Sequence, residues 1–133
     1  MAAAIVAIGV AAGAAITNTL VVQEELNAGA VRASNLQEQA TMLYRSGLTN
    51  PQDLFNILPE PCSAAAAPAA NTFSLAFGTP VTTTNTVVNA SVPIIYETVS
   101  CTVVFASPIA GSSQVAYLTN SVNIVRPTIR IGP

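Results

Sequence analysis

The sequence predicts an α+β protein: a long N-terminal helix, first hydrophobic and then amphipathic, followed by a small antiparallel β-sheet or β-sandwich. Three observations predict it. From Met1 to Gly47 there is no proline and Ala dominates, a composition of helix formers. All nine prolines lie from Pro51 onward. Beyond that point the chain turns rich in Thr, Val, Ile, Ser and Asn, which suits strands and turns. At 133 residues it is one domain, or one small domain with an appendage. The division is a long helix at 1–47, a connector at 48–70 and a β domain at 71–133.

The helix has two halves. Residues 1–22, MAAAIVAIGVAAGAAITNTLVV, carry no charge and are apolar on every side, which fits burial in lipid or in protein. At about 1.5 Å per residue they span roughly 30 Å, the thickness of a bilayer core. Eight of these 22 residues are Ala, two are Gly and one is Leu. Such a face gains little from lipid but lets helix backbones approach closely. Gly9 and Gly13 form a G-x-x-x-G, and Ala3, Ala7, Ala11 and Ala15 repeat every four residues. No Arg or Lys precedes Arg32, so the stretch lacks the basic flank of a secretion signal. It also lacks the Lys/Arg flank of a simple membrane anchor.

The second half can be counted. Val22, Leu26, Gly29, Ala33, Leu36, Ala40, Leu43 and Gly47 step by alternating fours and threes, while Glu24, Glu25, Arg32, Gln39 and Arg45 fall off that line. This is a heptad-like seam with many small positions, suited to close packing along one line. It serves partner helices, the protein's own β domain, or both on different faces.

Gly47 is placed to end the helix. Asn50 as N-cap and Pro51 at the first helical position predict a short helical turn through Leu58, ended by Pro59 and Pro61. SAAAAPAA at 63–70 reads as a low-complexity connector. Phe73, Leu75 and Phe77 then alternate in a half-buried strand. VTTTNTVVNASV suits a strand with one wet face. Ile95, Val99, Cys101, Val103 and Phe105 keep one phase, marking the best core strand. A turn around Gly111 leads to VAYLTNSVNIVR and TIRI, with Pro127 between them. The connections are too short for helical crossovers, which predicts antiparallel pairing.

Chemistry is scarce. The chain has no His and no Lys; its cations are Arg32, Arg45, Arg126 and Arg130, and its net charge is −2. The usual general bases and the Schiff-base nucleophile are missing, and no carboxylate pair is placed for acid–base work. Two Cys separated by 39 positions do not make a zinc site. No cofactor or metal is expected, and no basic patch offers itself to nucleic acid. The reading is not an enzyme. Cys62 and Cys101 in a small Thr-rich β domain suggest a disulfide, worth about 3–4 kcal/mol in the chain-entropy model; the alternative is two buried thiols. The bridge would imply an oxidising compartment. Asn89-Ala-Ser is a candidate N-glycosylation site, and the Ser/Thr abundance is explained equally by β propensity.

A helix able to sit in a bilayer yet built to pack with copies of itself, joined by a heptad seam to a compact β domain, resembles the type IV pilins. The resemblance is one of architecture and runs the length of the chain. In that family a peptidase removes a short basic leader, and on that reading Met1 is the processed N-terminus. Bacterial pilins usually begin with Phe and carry Glu at the fifth mature position. Here those positions hold Met1 and Ile5, and no helix-breaking Pro follows. The departures resemble archaeal adhesion pilins and, more distantly, archaeal flagellins. The resemblance implies many copies of the chain in an extracellular helical filament, a membrane-stored subunit before assembly, and a pilus assembly machinery as partner. Registration would rest on apolar packing along Ala3, Ala7, Gly9, Ala11, Gly13 and Ala15. The residues leave open a single-span surface protein, a flagellin-like motility subunit or the capsid subunit of a filamentous virus.

Overall fold

The structure, a computed structural model, describes residues 2–85, 94–109 and 113–128, with side chains from Gly13 onward. Helix α1 (Ala2–Arg45) is continuous over 44 residues, about 66 Å at the usual rise. Gly47 follows it at φ +108°, a conformation that an L side chain resists. Helix α2 (Pro51–Ile57) begins as expected: the Asn50 side chain accepts from the Gln52 backbone N–H, with Pro51 in the first turn. Strands β1 (Cys62–Ser63), β2 (Phe73–Phe77), β3 (Val81–Asn85), β4 (Ile94–Pro108) and β5 (Val115–Pro127) complete the element order.

The sheet is built around β4. This strand is long enough for β2 to pair with its 101–105 end and β3 with its 94–98 end on the same side. On the other side β5 pairs with it through thirteen consecutive residue pairs, from Tyr96↔Pro127 to Pro108↔Val115. Strand β1 lies outside β2 and is parallel to it. The expectation of an antiparallel sheet or sandwich is therefore corrected: the described strands form one mixed sheet. Two residues at the edge, Cys62 and Ser63, run parallel because the connector crosses back along the chain before β2 starts.

One face of that sheet carries α1. Phe73 and Leu75 of β2, Val99, Cys101, Val103 and Phe105 of β4, and Ile124 of β5 bury against Ala33, Leu36, Ala40 and Tyr44 of the helix. Strand alternation explains the selection, since successive side chains point to opposite faces. The other face is rich in hydroxyls. There Thr102 Oγ1 and Ser121 Oγ of neighbouring strands lie 2.9 Å apart.

Candidate assembly surface of the long helix

The seam of α1 is spent on the protein's own sheet. Val22, Leu26 and Leu43 are half-buried; Gly29, Ala33, Leu36 and Ala40 are buried. Of the two uses open to the seam, covering the β domain is the one observed. A helix lying on a flat sheet buries a wider stripe than a coiled-coil line. Gln37 and Tyr44, beside Leu36 and Leu43, are accordingly buried as well.

Three polar clasps tie α1 to the rest of the chain, two of them to the sheet and one to the connector, and pattern reading found none of them. Gln37 Nε2 donates to the carbonyls of Cys101 at 2.9 Å and Asn120 at 3.2 Å. Its Oε1 accepts from Asn120 Nδ2 at 2.7 Å, so all three polar contacts bridge helix and sheet. At the lower end of α1 the Tyr44 hydroxyl donates to Glu97 Oε1 at 2.7 Å, and Arg126 donates to Glu97 Oε2 at 3.2 Å. The Arg126 guanidinium also sits 5.4 Å from the Tyr44 ring centroid. Burial, reinforced by the Glu97 carboxylate, pushes the Tyr44 phenol up to about 12. The third clasp is a two-pronged pair in which Arg32 donates to both Glu60 oxygens, at 3.0 and 2.7 Å. Hydrogen bonding to Arg32 holds the Glu60 carboxyl below its usual range.

Above the sheet the helix is bare. Every residue from Gly13 to Val21 is exposed, with Ile16 at 62%, Leu20 at 59% and Val21 at 49%. A Cβ added at Gly13 would meet nothing within 4 Å. Two polar side chains in this stretch already serve the helix itself: Thr17 donates to the Gly13 carbonyl and Thr19 to that of Ala15, both at 2.9 Å. Those hydroxyls need no water, which suits a dry neighbour. Of the expected packing residues, Ala15 is exposed here, while Ala3, Ala7, Gly9 and Ala11 lie on the same helix with side chains outside the described residues. Lower down, Leu20, Val31 and Met42 fall on the face away from the sheet, each separated by about three turns. A groove of about 270 Å³ beside Met42, lined also by Leu43, Ile57 and Leu58, lies at the foot of that face.

The predicted disulfide is corrected. Cys62 and Cys101 are both free. Cys62 stands opposite Phe73 and Cys101 opposite Phe77, on the two flanks of β2. Two strand spacings sideways and four residues lengthwise separate their Cα atoms by about 16 Å, far beyond the roughly 7 Å limit of a bridge. Burial instead pushes the Cys101 thiol up to about 11, and raises that of Cys62. Asn89 lies outside the described residues. Among the described residues no cluster of His, Cys, Asp or Glu could hold a metal ion. Among them, too, no helix is long and apolar enough to cross a membrane. Comparison of the chain with protein-family models, curated proteins and solved structures finds no match in any of the three.

Proposed function

We propose that the chain is the structural subunit of an extracellular, archaeal-type type IV pilus, stored in the membrane and then polymerised by an assembly machinery. In this reading the N-terminal segments of many copies bundle in the filament core and the β domains face outward, where they serve surface adhesion. The observation that carries the reading is the bare upper helix. Residues 13–21, about 14 Å of helix, are all exposed, and α1 runs on from them to Ala2. They hold no charged residue.

The position of the seam sharpens this reading. The seam residues from Gly29 to Ala40 are already covered by the protein's own sheet, so contacts between subunits use residues 1–21 and the outward line of Leu20, Val31 and Met42. Relative to water, covering the exposed half of Ile16, Leu20 and Val21 with neighbouring helices contributes about 1–2 kcal/mol each, which holds every subunit of a filament against release into water. The test is negative-stain microscopy of material sheared from the cell surface, with N-terminal sequencing of its subunit. Filaments yielding this sequence support the reading, and a chain found only as a dispersed membrane protein overturns it.

A further inference from the structure

Strand β5 has a free side. Because the Thr128 N–H donates to the Ile95 carbonyl at 2.8 Å, in continuation of the Tyr96↔Pro127 pairing, the even-numbered residues of β5 bond to β4. The odd-numbered residues then aim their backbone groups away from the sheet. Val115, Tyr117, Thr119, Ser121, Asn123 and Val125 each present an N–H and a C=O along the outer edge. No described strand pairs there. Among the described residues the opposite border of the sheet offers less, since β1 has two residues and β3 has five.

Natural sheets blunt such an edge with charge, proline or a bulge. In β5 a charge and a proline stand only at the end, at Arg126 and Pro127. From Val115 to Val125 the strand has no charged residue and no proline, and its register with β4 is unbroken. Its outward side chains include Tyr117 at 51% and Val125 at 49% exposure. The only charge in the strand is Arg126, near one end.

We propose that the outer edge of β5 pairs antiparallel with the same edge of a second copy, on a two-fold axis at Ser121. The two strands' own sequence selects this occupant and direction. Pairing in parallel register would set Arg126 against Arg126, and like charges directly opposite are destabilising. Antiparallel pairing about Ser121 places Arg126 against Ala116 instead. On the outer face it sets Tyr117 over Val125 twice, a favourable aromatic–β-branched pair, and Thr119 beside Asn123. The outward-aimed residues meet one another in this register, so about ten backbone hydrogen bonds close across the axis. The union needs only the folded sheet, and so stands apart from the filament reading. On filaments it joins two of opposite polarity side by side.

Charge at the axis tests it. With the full chain in detergent micelles, Ser121→Lys and Ser121→Glu each place like charges face to face and weaken self-association about fivefold, and mixing the two recovers at least that factor. Variants that associate as the unmodified chain does, or a mixture that recovers nothing, overturn the proposal. The unmodified chain gives a second measure by amide hydrogen exchange. The Tyr117, Thr119, Ser121, Asn123 and Val125 amides exchange about fifteenfold slower when the chain stands at about 100 times the Kd of the pair, where about 7% of it remains unpaired. Exchange at open-strand rates at about 1 mM chain overturns it. Association through α1 protects none of these amides, and filament formation can fail while this pairing holds.

Discussion

Gly29 of α1 lies directly under the ring of Phe105 on β4. A Cβ added at Gly29 would meet three atoms of that ring, with Cδ1 at 2.6 Å and Cε1 closer still. The ring has little room to yield, because Phe73 packs against it at a centroid distance of 4.9 Å. Gly29→Ala therefore overpacks the helix–sheet interface at a cost of about 1–3 kcal/mol. The better helix propensity of Ala returns about 1 kcal/mol. Thermal unfolding of the variant is expected to show a net loss of up to about 2 kcal/mol, a drop of about 4 °C per kcal/mol at 133 residues. A melt above that of the unmodified protein would mean the helix stands farther from β4.

Gln37 supports the same interface by polar means. It is 6% exposed and satisfies two carbonyls while accepting from Asn120. Gln37→Leu keeps the volume but strips these bonds, at about 1–3 kcal/mol by denaturant unfolding. Adding Asn120→Ala to that variant should cost less than Asn120→Ala alone, because its partner is already gone. Strictly additive losses would show that the two residues are uncoupled.

Tyr44 makes the fold sensitive to alkali. Its phenol is raised from 10 to about 12 in the folded chain, chiefly by burial. A group raised on folding lends stability that is present below pH 10 and lost as pH rises through about 12, here about 2–3 kcal/mol. Cys101, raised from 9 to about 11, contributes to the same alkaline loss over a lower window. Tyr44→Phe isolates the phenol. Its stability should fall by about 1 kcal/mol at neutral pH and show a shallower decline between pH 10 and 12. An unchanged slope there would remove Tyr44 as the cause.

How far these features could be read from sequence depends on what each rests on. The long helix, its Gly47 terminus, the Asn50–Pro51 start of α2 and the inward phase of Val99, Cys101, Val103 and Phe105 follow from composition, caps and alternation. Such signals are local. The parallel border strand at Cys62 and the separation of the two cysteines depend on which strands become neighbours, which no local pattern carries. The use of the seam was half legible. Its period names a packing face but not the partner. The widening of that face at Gln37 and Tyr44, polar positions flanking Leu36 and Leu43, was the available sign that a flat sheet would cover it. Glu97 and Arg126 meet only because β4 and β5 set them side by side.

The cysteines make a further prediction. Since strand geometry holds them too far apart to bond, reducing agent should leave the thermal unfolding curve unchanged. Cys101, fully buried on the helix side of β4, should resist alkylation until the domain unfolds, while the half-buried Cys62 reacts sooner. Melting that falls on reduction, or equal labelling of both thiols in the folded protein, would contradict this arrangement.

Gly13 tests the proposed filament reading apart from folding. It lies five turns before Val31 and so on the same outward line, with open space around it. Gly13→Leu touches nothing within its own chain, so the head should melt within about 0.5 kcal/mol of the unmodified protein. In a filament the same change thickens a face where helix backbones approach one another closely, and small residues are what permit that approach. Filament yield from cells carrying the variant should fall sharply while the subunit persists in the membrane. Normal filaments from Gly13→Leu would show that the core is not closed along this face, whereas a lowered melt would show that the upper helix already has a partner within its own chain.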